Sequence, residues 1–431
     1  MRILLVLDNL SSSCGANVGI VYELARTWLA GGNEVYCLAR EDNYHELDKE
    51  KADALNGVWT FKVTEDDVLN DVTKSDKWIN ASSLGKAAFV VSHPAFLQKL
   101  IDKKYFESSE IRNEYKRQIE KVCAEHSFDA VIAVTEPFYI ADALANANIS
   151  DNRYVIMMDP YTNNPSTTQR ARAKHLQKEL HVFENAQKVF ALDFVGNDMD
   201  YLSKDLAQKL VTFRVPKVQK LDTKSLATDV QSSKKDAETQ TVQADTDTIS
   251  EDNINFVYVG QLYDDIRNPE LMLKLFTKLP ENYILHLYGG GSEKTVARYK
   301  EILGDRLILH GWVSSSESIK AQKEADVLIN LNNNIKNMLP SKLIEYINTG
   351  KPILNICQIP NCPSLPYMER YPMALSAAPG QNIDDIAKEL TEFAQNYKGQ
   401  TVDHSHIEEL YADSISDNVA NMILKTIENE A

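Results

Sequence analysis

The stretch Asn337–Leu354 reads NMLPSKLIEYINTGKPIL, and it holds a helix start, a helix stop and a new strand. Pro340 precedes Ser341, a residue type suited to an N-cap, while Gly350 followed by Pro352 stops the helix. Leu343, Ile344 and Ile347 recur at helical spacing and supply an apolar face. Ser341, Glu345 and Asn348 fall on a separate polar line. Lys342 sits in the predicted first turn, where the helix macrodipole disfavours a cation by roughly 0.3–1 kcal/mol. An anion at that helix start reverses the penalty, because free N–H groups and the lysine converge on it. Glu345, one turn further on, suits the hydroxyls of a ribose. The stretch predicts a nucleoside-diphosphate site at a helix start, followed by a strand at Ile353–Ile356. A merely solvated surface helix is the plainer competing reading.

Outward from this segment the same alternation continues. In the second half the strands expected are Phe256–Val259, Tyr283–Tyr288, Leu307–Leu309, Val327–Leu331 and Ile353–Ile356. Helical patterns lie between and after them, near Pro269–Leu279, Lys294–Leu303, Ser316–Glu324, Ser341–Thr349 and Ile383–Phe393. In the first half the expected strands are Ile3–Leu7, Glu34–Leu38, Ala130–Val134, Tyr154–Met158 and Val189–Leu192, with helices at Val18–Leu29 and Ile111–Glu125. Strands that are apolar throughout, separated by helices, mean parallel sheets covered on both faces. The fold class expected is α/β, with two doubly wound Rossmann-like domains facing across a cleft.

Between the halves, Leu221–Asp252 contains no Gly, Pro or aromatic residue and more acidic residues than lysines. Such a stretch buries too little apolar surface to offset the entropy of ordering it, so a flexible acidic insertion is expected. The division expected is 1–215 for the first domain, 216–253 for linker and insertion, and 254–403 for the second domain. Residues 404–431 form a C-terminal helical segment expected to pack across both.

The 431 residues carry a formal charge of −16, which argues against nucleic acid as the general partner. A local exception, Arg170, Arg172, Lys174, His175 and Lys178, clusters in one helical segment. Read plainly it is a solvated helix face, and the sharper alternative is a surface for an anionic acceptor or a lipid headgroup. The first apolar run, Ile3–Leu7, has no small-residue cleavage site after it, and no apolar stretch approaches ~20 residues, so neither a secretory leader nor a membrane span is expected. Five scattered cysteines fit free thiols in a reducing compartment. Cys357 and Cys362 lack a second ligand pair nearby, so they read as structural and no metal is expected. The localisation expected is cytoplasmic, with the inner membrane face as a second option.

Several motifs together carry a family resemblance. They are Pro340-Ser341-Lys342 with Glu345 and Thr349-Gly350-Lys351-Pro352; Tyr258-Val259-Gly260-Gln261-Leu262 with Arg267 before Asn268-Pro269; Tyr288-Gly289-Gly290-Gly291; His310-Gly311-Trp312-Val313; and Cys14-Gly15-Ala16-Asn17-Val18-Gly19. In combination they resemble the GT-B glycosyltransferases, specifically the retaining, metal-independent branch that uses sugar nucleotides. The dinucleotide fingerprint does not fit, since the glycines after the first strand are spaced Gly15-x-x-x-Gly19.

The resemblance implies transfer of a sugar from a nucleoside diphosphate, UDP foremost, to an acceptor hydroxyl, with no separate cofactor. By the same resemblance Arg267 and Lys342 neutralise the leaving diphosphate and Glu345 holds the ribose. Gly15, Asn17, Gly260, Gly290, Gly291, Trp312, Val313, Asn337, Leu339 and Ser341 line the donor. Glu136 and Asp159, each after a predicted strand, are the acceptor-side candidates. A glycan, a lipid-linked sugar or a protein is the acceptor class implied, with peripheral membrane contact compatible with it. Two departures from the family pattern are Asn337, where a glutamate is common, and Gln261, where arginine is. They keep open a non-catalytic homologue that binds sugar or supports a partner. A nucleotide-sugar epimerase is a third reading, and its paired histidine and carboxylate bases are not evident in the sequence.

Overall fold

The structure is a computed structural model and describes residues 1–12, 16–41, 46–62, 109–135, 137–165, 167–220 and 253–430. Gly15, Glu136 and the acidic stretch 221–252 lie outside the described residues. The chain divides into two units, Met1–Pro216 with Ser416–Ala431, and Lys217–Ile415.

The first unit is built on a seven-stranded parallel sheet in the order β3-β2-β1-β4-β5-β6-β7. Its strands are β1 (Arg2–Leu7), β2 (Glu34–Glu41), β3 (Gly57–Lys62), β4 (Ala130–Val134), β5 (Arg153–Met157), β6 (Lys188–Leu192) and β7 (Leu210–Phe213). The four strands from β1 through β6 at the centre of this order are almost wholly buried, as their unbroken apolar runs require. The second unit has a six-stranded sheet ordered β10-β9-β8-β11-β12-β13. Here the strands are β8 (Ile254–Val259), β9 (Tyr283–Tyr288), β10 (Leu307–Gly311), β11 (Val327–Leu331), β12 (Ile353–Ile356) and β13 (Ala374–Ala377). In each sheet the strand order reverses once, between β1 and β4 and between β8 and β11. Loops at the carboxyl ends of strands beside such a reversal are where open α/β sheets bind ligands.

All ten predicted strands are present. The three that the sequence did not announce, β3, β7 and β13, are all sheet edges with half-buried patterns. A strand covered on one side needs no continuous apolar run, so its signal is weak.

The C-terminal segment separates into two parts. His404–Leu410 is a helix of the second unit, whereas the helix Ser416–Glu430 belongs to the first and packs on Ala16–Ala30. Trp28 is buried there and donates its indole N–H to the Ala420 carbonyl at 2.8 Å. Thr27 donates to the Asp417 carboxylate at 2.8 Å. A buried tryptophan needs a partner for its one polar atom, and the returning helix supplies it.

Candidate functional site

In the second unit the carboxyl end of β8 runs into Gly260, and that of β9 into Gly289-Gly290-Gly291. These glycines are demanded by the backbone. A Cβ on Gly289, whose φ is +127°, would stand 2.1 Å from the Gly260 carbonyl oxygen, and one on Gly291 (φ +101°) equally close to that of Leu262. Two strand ends therefore approach without side chains between them, held by the Leu262 N–H bonded to the Gly290 carbonyl at 2.8 Å. Beside them a cavity of about 470 Å³ is lined by Tyr258, Leu262, Leu287, Val296, Lys300 and Leu309 along with the glycines. Trp312 rests against Gly290, where a Cβ would be 3.1 Å from the indole nitrogen, yet it is 72 % exposed. Trp312 is therefore not a core residue. An aromatic face left in water beside a bare backbone is a ready platform for a flat ring.

Arg267 is braced from two sides. Its Nε donates to Asn333 Oδ1 at 2.9 Å and its Nη1 to the Gln261 carbonyl at 3.4 Å. Tyr263 and Arg267 also form an antiparallel bridge. Asn333, in the loop after β11, donates in turn to the Met338 carbonyl at 3.3 Å. That loop leads through Asn337, which is 2 % exposed, to Leu339 and Ser341.

The helix at this point is Leu343–Thr349, two residues shorter at its start than Ser341–Thr349. Ser341 is exposed and is not the N-cap; that position falls to Lys342, in αR geometry and with no side-chain cap bond. The reason is local: the Leu343 N–H bonds the Pro340 carbonyl at 3.1 Å, so a turn fills the place of the expected first helical turn. Lys342 Nζ lies 2.5 Å from Glu345 Oε2, and both side chains remain partly exposed. The two residues assigned separately to phosphate and ribose thus form one ion pair.

Tyr346, absent from the sequence expectations, ties these pieces together. Its buried phenol accepts the Val259 N–H at 3.1 Å. Burial pushes its pKa up first of all; Tyr258 and Glu345 add to the rise, while the Val259 N–H and Arg267 oppose it. The hydroxyl is thereby anchored to the end of β8. The available signal was a tyrosine on the apolar face of the helix, because a buried phenol requires a partner.

The first unit presents a different edge. Asn17 Nδ2 donates to Asp159 Oδ2 at 2.6 Å, joining two predicted site residues that lie 142 positions apart. Asp8, just past β1, accepts from Tyr139 at 3.0 Å and from Arg40 at 3.3 Å. Asp8, Arg40 and Tyr139 carried no sequence signal, since nothing in their spacing marks them as neighbours. The basic cluster of the sequence lies on the helix Gln169–Asn185 and divides. Arg170, Arg172 and Lys174 face solvent, whereas His175 is buried against Tyr161 and Lys178 pairs with Asp142 at 3.3 Å. Among the described residues no helix is long and apolar enough to cross a membrane.

Comparison with solved structures supports the two-sheet architecture along the whole chain. The lipopolysaccharide outer core galactosyltransferase WaaB aligns at 16 % identity with a TM-score of 0.59, covering 99 % of this chain and 100 % of that one. Sucrose-phosphate synthase from Thermosynechococcus elongatus aligns at 13 % identity and a TM-score of 0.58, over 99 % and 98 % of the two chains. HepE from Anabaena, solved with UDP and glucose, aligns at 11 % identity and a TM-score of 0.56 over 100 % of both. At these identities the likeness concerns the fold. A search of curated proteins by sequence gives no match. Residues 240–403, however, match the family model for Glycosyl transferases group 1. That segment contains Gly260, Arg267, Gly289–Gly291, Trp312, Lys342 and Glu345. The chain accordingly has the GT-B architecture along its length, and residues 240–403 are a group 1 glycosyl transferase domain.

Proposed function

We propose that this protein transfers a sugar from a nucleoside diphosphate, UDP foremost, to an acceptor hydroxyl, with retained anomeric configuration and without a metal ion. What supports the reading most is that Arg267 and the Lys342–Glu345 ion pair fall inside the segment that matches the family model. The bond that breaks joins the anomeric carbon to a phosphate oxygen, and negative charge develops on the departing diphosphate. Arg267, fixed by Asn333, and Lys342 stand where that charge is neutralised. In the structure Glu345 serves as the counter-ion of Lys342. A diphosphate takes over that role and frees the carboxylate to accept ribose hydroxyls. Trp312 and Gly290 receive the base, with Gly291, Val313, Asn337, Leu339 and Ser341 around the donor.

The acceptor hydroxyl is assigned to Asp159, which Asn17 holds, with Glu136 as the other acceptor-side candidate; Gly15 and Asn17 stay with the donor. The acceptor class is a glycan, a lipid-linked sugar or a protein, and the setting is surface-glycan synthesis at the inner face of the membrane. That HepE, of the same fold, binds UDP and glucose favours UDP as the base carrier.

The test is a thermal-shift panel of UDP-, GDP- and ADP-sugars without metal. A donor at ~100 times its dissociation constant adds about 2.7 kcal/mol to the unit that binds it. A selective shift by one donor, with release of its nucleoside diphosphate only when an acceptor is added, is the result expected. Conversion of the donor with no acceptor present would instead establish an epimerase, and binding without either reaction a non-catalytic homologue.

A further inference from the structure

Cys357 and Cys362 lie at the carboxyl end of β12, outside the grouping assigned to the donor. Cys357 is fully buried and Cys362 is 2 % exposed, and their Sγ atoms stand 2.7 Å apart. Closing that gap to a bond of about 2.05 Å requires a shift of less than ~1 Å. The pair is embedded in a buried polar network rather than in hydrocarbon. Ser364 Oγ contacts Cys362 Sγ at 3.2 Å and donates to Asn355 Oδ1 at 2.9 Å. The same oxygen accepts from Asn330 and Asn332 at 2.8 and 2.7 Å, and Asn355 Nδ2 reaches Cys357 Sγ at 3.5 Å. The two thiols are therefore held in place by neighbours on β11, β12 and the turn before Leu365–Met368.

We propose that Cys357 and Cys362 form a reversible intramolecular disulfide on exposure to a hydroperoxide, with Cys362 as the reacting thiol. Cys362 is the entry point because exposed Pro360 and Asn361 precede it, while Cys357 is fully buried. The hydrogen bond from Cys357 chiefly, then Ser364 and the Leu365 and Ser364 amides, lower the Cys362 pKa against the opposing effect of burial. The Cys362 thiolate attacks one peroxide oxygen, the O–O bond breaks, and the departing hydroxide takes up a proton to leave as water. Cys362 is then a sulfenic acid. The Cys357 sulfur attacks the Cys362 sulfur, the S–O bond breaks, and the hydroxyl leaves with the Cys357 proton as a second water. Two thiols and one peroxide become one disulfide and two waters. The loop so closed abuts the Arg267 segment, because Gln358 donates to the Asn268 carbonyl at 2.9 Å.

The test uses the full chain, reduced and then treated with hydrogen peroxide, followed by alkylation and peptide mass mapping. The expected result is a Cys357–Cys362 disulfide, two hydrogens lighter and reversed by dithiothreitol, with Cys37 and Cys123 still free thiols. Cys357→Ser should accumulate a dimedone-reactive sulfenic acid at Cys362, whereas Cys362→Ser should leave Cys357 a thiol. Ser364→Ala, a positioning change, should move the pH midpoint of disulfide formation upward. Full alkylation of both thiols after peroxide would overturn the proposal, as would sulfenic acid on Cys357 or a disulfide joining two chains. None of these readouts depends on nucleotide binding, so they stand apart from the proposed transfer reaction.

Discussion

The two units share a parallel sheet with one reversal of strand order, yet finish the carboxyl ends of their strands in opposite ways. In the first unit the edge is charged and already satisfied within itself: Asp8 with Arg40 and Tyr139, Asn17 with Asp159. In the second the edge is stripped to backbone at Gly260 and Gly289–Gly291, and its charges, Arg267 and Lys342 with Glu345, are partly exposed. A site for a large anion needs close-approaching amides and cations whose counter-ions can be exchanged. A site that orients neutral hydroxyls needs fixed acceptors and donors. The contrast teaches that topology alone does not assign chemistry to a sheet edge; the side chains allowed to remain there do.

The sharpest way to break this contrast is Lys342→Ala. Under the proposed reaction it should lower kcat about 10²–10³-fold, the cost of losing one stabilising donor in the transition state. Melting should change little, because the side chain is partly exposed and pairs only within its own turn. Near-normal turnover would remove the second unit's edge from the chemistry. Next in size is Gly289→Ala, which forces a side chain into a φ of +127° and onto the Gly260 carbonyl. A loss of about 2–3 kcal/mol is expected from the second unit's calorimetric transition, together with its nucleotide response. An unshifted transition would show that the bare backbone is not required.

Acidification separates the units further. On adjacent strands β9 and β10, His286 lies 3.0 Å from His310, and burial, then that neighbour, push its pKa down to about 4. A histidine held below its ordinary value is protonated first in the unfolded chain. Its contribution is therefore present above about pH 6.5 and lost as pH falls through that value towards 4. Glu179 in the first unit is raised instead, by burial chiefly and by Asp198, against hydrogen bonds involving Thr162 and Tyr201. Its contribution is full below the ordinary carboxylate value and lost as pH rises through the folded one. From pH 7 to 5 these groups should weaken the second unit by on the order of 1–2 kcal/mol and favour the first. Calorimetry of His286→Gln and Glu179→Gln checks this: each should flatten the pH response of its own unit alone. Smallest is Asp159→Asn, expected to raise the acceptor KM about tenfold, roughly 1.4 kcal/mol, with donor affinity unchanged. A changed donor affinity would undo the division of labour.

Local pattern was enough for the fold. Unbroken apolar runs marked every strand buried on both faces, and the missed strands were edges, where one face is in water and the run breaks up. The head of Leu343–Thr349 was displaced by two residues because a turn through Pro340 overrode the Ser341 cap preference. Arg267, Lys342 and Glu345 were legible through short motifs, Asn268-Pro269 after the first and Pro340-Ser341 ahead of the other two. Tyr346, Asn333, Asp8 and Arg40 were not, because what makes them part of a site is a partner far along the chain.

Sequence by itself determined two parallel α/β units, the glycines at the ends of β8 and β9, and the short helix that follows Lys342 and carries Glu345. Those are consequences of backbone preference and apolar periodicity, which act over a few residues. Only the tertiary structure decided that Asn17 meets Asp159, that Tyr346 reaches the Val259 amide, and that Trp312 stands in solvent. These depend on which strand ends lie side by side, and strand order is set by packing the whole sheet rather than by any one segment.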